Sequence, residues 1–162
     1  MKKFIKVLSI CLLLFSISFA GLKRIPKFEL KSEDGKIVSR EDLKGKPSIL
    51  VFWSLNCLSC KKELPILNKF YHKYKDKINF YAIVLFTNSK EKVKQRKKEW
   101  GFDIPVLLGG SDSRIVYKYR VIGVPTTYFV NKDLTIFKLV YGKKEKEKLE
   151  KIINELLKKN SQ

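Results

Sequence analysis

One junction constrains this chain more than any other feature. Ser48 to Ser54 (SILVFWS) is a continuous apolar run, and Cys57-Leu58-Ser59-Cys60 follows two residues later. A run of that length, rich in β-branched and aromatic residues, reads as a strand covered on both faces. Behind the cysteines the period changes. Leu64, Leu67, Phe70 or Tyr71, and Tyr74 recur three or four apart, with Lys61, Lys62, Lys69 and Lys73 between them, which predicts a helix over 57–75. Pro65 falls inside it and should kink the helix rather than end it, because the pattern continues beyond. A cysteine at the start of a helix meets unpaired N–H groups and the positive end of the macrodipole, both of which favour the thiolate. A second cysteine three residues on is close enough to close a disulfide. Cys57 can therefore attack a disulfide, and Cys60 can resolve the product.

The other cysteine is Cys11, and its setting differs. Lys2, Lys3 and Lys6 precede an apolar stretch from Val7 to Phe19, and Ser18 and Ala20 place small side chains ahead of Gly21. This is the layout of a secretory signal over 1–20, leaving a domain of 21–162. The stretch is short of the roughly 20 apolar residues that span a bilayer, so a retained N-terminal anchor is the weaker reading. Cleavage would leave Cys57 and Cys60 as the only cysteines, with no structural disulfide to compete with them. Zinc needs two further ligands. The single histidine, His72, lies on a polar helix face, so no metal or other cofactor is called for. The net charge of +19 falls to +16 without Lys2, Lys3 and Lys6. Such a balance usually points to nucleic acid, but export argues against it. The excess is mostly lysine spread along helical faces, which suits a solvated surface, or attraction to anionic lipid or an acidic protein.

Along the rest of the chain, Phe28-Glu29-Leu30 and Ile37-Val38 flank Asp34-Gly35, a hairpin signal. Ile78 to Phe86 repeats the buried-strand pattern. Ser89 to Trp100 reads as a lysine-rich helix closed by Gly101. A short strand over 104–108 and a short helix over 112–119 follow. Thr126 to Val130 and Leu134 to Tyr141 form a late hairpin, and Lys143 to Lys159 a closing helix with Leu149, Ile152, Ile153, Leu156 and Leu157 on one side. Early alternation implies parallel pairing and the late hairpin adds antiparallel strands. The fold class is α/β, a central mixed sheet flanked by helices.

The stretch from Trp53 through Cys57, Cys60 and Glu63 to Pro65, W-x-x-x-C-x-x-C-x-x-E-x-P, together with Val124-Pro125-Thr126-Thr127, closely resembles exported thioredoxin-like proteins of the TlpA/ResA type. The likeness runs from about Phe28 to the C-terminus. It implies a thioredoxin-like fold in which the N-terminal hairpin and the extra strand and helix at 104–119 distinguish the subfamily. It implies that Pro125 is a cis-proline facing the disulfide, with Trp53, Val124 and Pro125 forming the substrate-binding surface. It also implies that Glu63 is an acidic group serving the cysteine pair. Otherwise Glu63 is a surface residue of a first helical turn, where negative charge is favoured. Two departures stand out. Asn56 replaces the tryptophan that precedes the first cysteine of cytosolic thioredoxin, and Val51 replaces its buried aspartate. No basic side chain lies between the cysteines.

The resemblance points to an exported reductase of protein disulfides, periplasmic or on the outer face of the membrane. Apocytochrome c is a candidate client and a membrane thiol reductase the upstream donor. Two alternatives fit less well. A peroxiredoxin would need Pro where Leu50 stands, although Ser54 matches its Thr/Ser position. A copper-delivery module would need C-x-x-x-C and a late histidine.

Overall fold

In the computed structural model, which describes residues 23–110 and 113–161, the apolar run becomes strand β3 (Ser48–Trp53), buried along its whole length. Alternate side chains of a strand face opposite ways, and here both ways lead into a core. Ile49, Val51 and Trp53 join one apolar cluster, while Leu50 and Phe52 join another on the opposite face. Residues 1–20, read above as a signal or an anchor, lie outside the described residues.

The sheet has seven strands in the order β2-β1-β5-β4-β3-β6-β7. β1 (Glu29–Ser32) and β2 (Ile37–Ser39) form the N-terminal hairpin, which pairs antiparallel with β5 (Val106–Leu108). β4 (Asn79–Val84) runs parallel to both β3 and β5. β6 (Thr126–Val130) and β7 (Ile136–Tyr141) are antiparallel to their neighbours.

The parallel pairs require crossovers, supplied by α1 (Leu58–Tyr74) and α2 (Lys90–Trp100). Two right-handed crossovers stepping in the same direction put both helices on one face. Leu64, Leu67 and Phe70 of α1 and Val93 and Trp100 of α2 accordingly share a cluster. The closing helix α4 (Lys146–Asn160) adds Leu149, Ile152, Ile153 and Leu156 to it. The short α3 (Arg114–Lys118) covers the other face with Ile115, beside Tyr119 and Val121.

Local chemistry sets the ends of these elements. The Ser89 hydroxyl accepts the Lys92 N–H at 3.3 Å and caps α2. Gly101 closes that helix in the left-handed region at φ 68°, where a glycine pays no Cβ penalty. Gly109 is required for a different reason: a Cβ there would lie 2.6 Å from the Val84 carbonyl oxygen. α1 runs through Pro65 unbroken. The last hairpin differs from expectation. Leu134 is not in β7 but in the turn, with φ 71°, and its side chain is buried. Its carbonyl accepts the Ile25 N–H at 3.1 Å, so the turn is pinned to the N-terminal segment rather than extended into the sheet.

Candidate functional site

The end of β3 delivers the chain to the site. Beyond Trp53, the Cys57 N–H donates to the Ser54 carbonyl at 3.2 Å, turning the backbone into α1. Cys57 is the N-cap, with extended backbone, and its Sγ lies 3.0 Å from the Cys60 N–H. Cys57 and Cys60 are joined as a disulfide with their Cα atoms 5.2 Å apart. The two sulfurs occupy different surroundings. Cys60 is fully buried in the cluster beneath α1, whereas Cys57 is half-buried at its edge. An attacking group from outside meets Cys57 first.

The chain returns to this place from far along the sequence. The Val124–Pro125 peptide is cis, and the Val124 carbonyl oxygen lies 3.6 Å from Cys57 Sγ. The Pro125 carbonyl accepts the Gly142 N–H at 2.8 Å, tying this loop to the end of β7. Val124 is half-buried and Pro125 buried.

Glu63 is not on the surface. It lies one helical turn beyond Cys60 and is 1% exposed. Its Oε2 accepts the backbone N–H of Lys144 at 2.5 Å, from the loop between β7 and α4. Burial pushes its carboxyl up to about 7, against the opposing pull of the Lys144 N–H and the positive charges of Lys144 and Lys143; Glu145 adds a small upward push. A carboxyl titrating near neutrality can exchange a proton at working pH, where an ordinary surface glutamate stays ionised.

Trp53 requires a correction. Assigned above to the substrate surface, it is 0% exposed and belongs to the core. The alternation of β3 directs it with Ile49 and Val51 beneath the helices. There its ring packs edge-on against Trp100 and Phe102, both with centroids 5.5 Å away. Its Nε1 has no hydrogen-bond partner among the described residues.

Arg96 is a site neighbour that the sequence reading missed. Its Nε donates to the Leu55 carbonyl at 2.7 Å, holding the loop ahead of Cys57 against α2, and its guanidinium lies over the Trp100 ring. The available signal was its being the single arginine in a helix otherwise supplied with lysines; a planar guanidinium both stacks and donates in a fixed fork. His72 is exposed and pairs with Asp103 at 2.9 Å, away from the cysteines. Among the described residues, no three His, Cys, Asp or Glu side chains are grouped to hold a metal ion.

Comparison with known proteins agrees with this arrangement. The pattern of the AhpC/TSA family matches residues 22–138. The thiol-disulfide oxidoreductase ResA of Bacillus cereus is 34% identical over 129 residues, covering 79% of this chain and 73% of that protein. Among solved structures, StoA from Bacillus subtilis superposes with a TM-score of 0.67 at 26% identity, over 81% of this chain and 98% of its own. A thiol:disulfide interchange protein of the thioredoxin family from Chlorobium tepidum superposes with a TM-score of 0.72 at 22% identity, over 86% and 99%.

Proposed function

This chain belongs to the AhpC/TSA family and groups within it with the ResA thiol-disulfide oxidoreductases, and from that premise we propose that it is a reductase of protein disulfides working outside the cytoplasm. The supporting observation is the asymmetry of the pair: a half-buried Cys57 at a helix N-terminus and a fully buried Cys60 one turn away.

In the reduced state the Cys57 thiolate attacks one sulfur of a client disulfide. That S–S bond breaks, the first client sulfur leaves and takes a proton, and a mixed disulfide joins Cys57 to the client. Cys60 then loses its proton and attacks Cys57 Sγ. The second client thiol is released and the Cys57–Cys60 bond closes. In this reading Glu63, one turn beyond Cys60 and titrating near 7, receives the Cys60 proton. The client gains two electrons and two protons, and a dithiol donor, a membrane thiol reductase in this reading, restores them to the cysteine pair. Val124 and Pro125 border the client's approach to Cys57.

The direction of flow follows from what surrounds the thiolate. Strong oxidants owe their potential to heavy stabilisation of a thiolate. Leu58 and Ser59 bring no positive charge to Cys57, and an ionised Glu63 nearby opposes a thiolate; Lys61 and Lys62 pull the other way, but their field is screened at the surface. The potential should therefore lie nearer the roughly −270 mV of thioredoxin than the roughly −120 mV of DsbA. Equilibration with glutathione redox buffers measures it. A midpoint above about −160 mV, well toward DsbA on that scale, would make the protein a disulfide donor and end this reading. The client is named by Cys60→Ser, which stalls the mixed disulfide on Cys57. Apocytochrome c is the client this reading favours. The N-terminal pattern of residues 1–20 supports export, with that segment either removed or kept as a membrane attachment.

A further inference from the structure

Three bulky apolar side chains stand in solvent on three segments that adjoin the site. Leu58, next to Cys57, is 77% exposed, Ile122, two residues ahead of Val124, is 82% exposed, and Phe86, beyond the end of β4, is 59% exposed. Phe86 is also held at φ 62°, a left-handed conformation that is unfavourable for a bulky residue. The N–H of its neighbour Leu85 donates to the Trp53 carbonyl at 2.9 Å, so Phe86 stands one strand over from the loop that carries Cys57. Exposed apolar side chains gathered at one place mark a surface that meets a partner.

The surroundings of this apolar group are basic. Lys61 and Lys62 lie near the start of α1. Lys92 and Arg96 line a groove with Leu55 and Asn56, beside the approach to Cys57. Arg120 precedes Ile122 by two residues, and Lys143 and Lys144 form the loop over Glu63. Acids also lie among these cations: Glu91 in the first turn of α2, Glu99 near Lys61 and Glu145 near Lys62. Glu99 is tied to Arg96 at 2.5 Å and Glu145 to Lys143, so these two pairs cancel and the positive charge of the rim rests on Lys61, Lys62, Lys92, Arg120 and Lys144.

We propose that this surface selects clients by sequence, taking an extended segment with a large apolar side chain beside its disulfide-bonded cysteine and acidic residues a few positions further out. The inference rests on the reductase reading and adds the substrate class to it. The apolar contacts supply affinity by burial. The basic rim supplies steering, which raises the encounter rate and weakens as salt screens it.

The test uses the reduced full-length chain, with dithiothreitol as regenerating dithiol. Its substrates are synthetic peptides of equal length, each with one intramolecular disulfide. One carries Leu at the reacting cysteine and Glu flanks, a second has Lys flanks, and a third keeps the Glu flanks but replaces Leu by Gly. Bis(2-hydroxyethyl) disulfide is the small neutral substrate. The Leu/Glu peptide should react about tenfold faster than the Lys peptide at low salt, a gap of the size electrostatic steering produces, and high salt should shrink it. The Gly peptide should fall several-fold behind. Phe86→Asn, which suits the left-handed backbone, and Ile122→Ser should each lower the ratio of the Leu/Glu peptide rate to the small-disulfide rate. Equal rates for Glu and Lys peptides, or an unchanged ratio in both variants, would overturn the inference. If the chain sediments with phosphatidylglycerol vesicles while peptide charge has no effect, the basic rim serves a lipid surface and the inference is likewise overturned. Failure to reduce even the small disulfide would instead sink the reductase reading itself.

Discussion

Replacing Glu63 by glutamine removes a titrating carboxyl from the interior while keeping a side-chain oxygen that can accept the Lys144 N–H. In the unfolded chain this carboxyl ionises around 4.5, and in the folded protein around 7, chiefly because burial penalises the charge. Between those values the folded state holds a proton that the unfolded state has released. Stability therefore falls as pH rises through that window and levels off above 7. At roughly 1.4 kcal/mol per pH unit, the wild-type protein loses about 3 kcal/mol between pH 4 and pH 8 on account of this group. The glutamine variant loses none of it. Any pH-independent cost of Glu63→Gln, such as a poorer hydrogen bond to Lys144, appears equally at both ends and cancels in the difference. Urea denaturation of the two oxidised proteins across this range measures the gap directly. Glu63→Gln should gain on the wild type by about 3 kcal/mol from pH 4 to pH 8, which for a chain of this size is on the order of 10 °C in midpoint. Parallel curves would mean that Glu63 stays solvated enough to ionise normally, and the burial argument would fail. The proton-accepting role proposed for it would fall at the same time, since an ordinary carboxylate is a weak base at neutral pH.

Two further outcomes test the local geometry. In the reduced protein, alkylation at mildly acidic pH should label Cys57 before Cys60, because only Cys57 is both at the helix start and reachable from solvent; mapping the first modified peptide by mass spectrometry checks this, and early labelling of Cys60 would reverse the assigned roles. Gly109→Ala should destabilise the protein by about 1–3 kcal/mol, since its Cβ meets a backbone carbonyl that cannot move without shifting β4; an unchanged denaturation midpoint would show that the strand yields at little cost.

Much of this molecule could be read from local sequence, because local sequence carries its own physics. The apolar run of β3 had to be covered on both faces. The change from a continuous run to a 3.6-residue period placed Cys57 at a helix start. Gly101 marked the end of α2, and the order of strands and helices implied a mixed sheet. Such signals depend on neighbours within a few residues. Glu63 shows where that ends. Its position near the helix start suited a surface residue as well as an acid serving the cysteines, and the choice was made by burial: the loop carrying Lys144, 81 residues away, closes over it, and dehydration raises its pKa although the Lys144 N–H and charge pull the other way. Trp53 was assigned to the substrate surface through the resemblance, but the strand pleat turns it inward, where it packs edge-on with Trp100 and Phe102. Leu134 carried a strand-like pattern, yet its burial against the N-terminal segment outweighed the cost of a left-handed backbone. Sequence by itself determined which residues could do thiol chemistry and on which elements they sit. Only the tertiary structure decided which groups are dried and which remain wet, because burial is set by segments that meet in space after long separation along the chain, and dehydration in turn sets the charge each group carries.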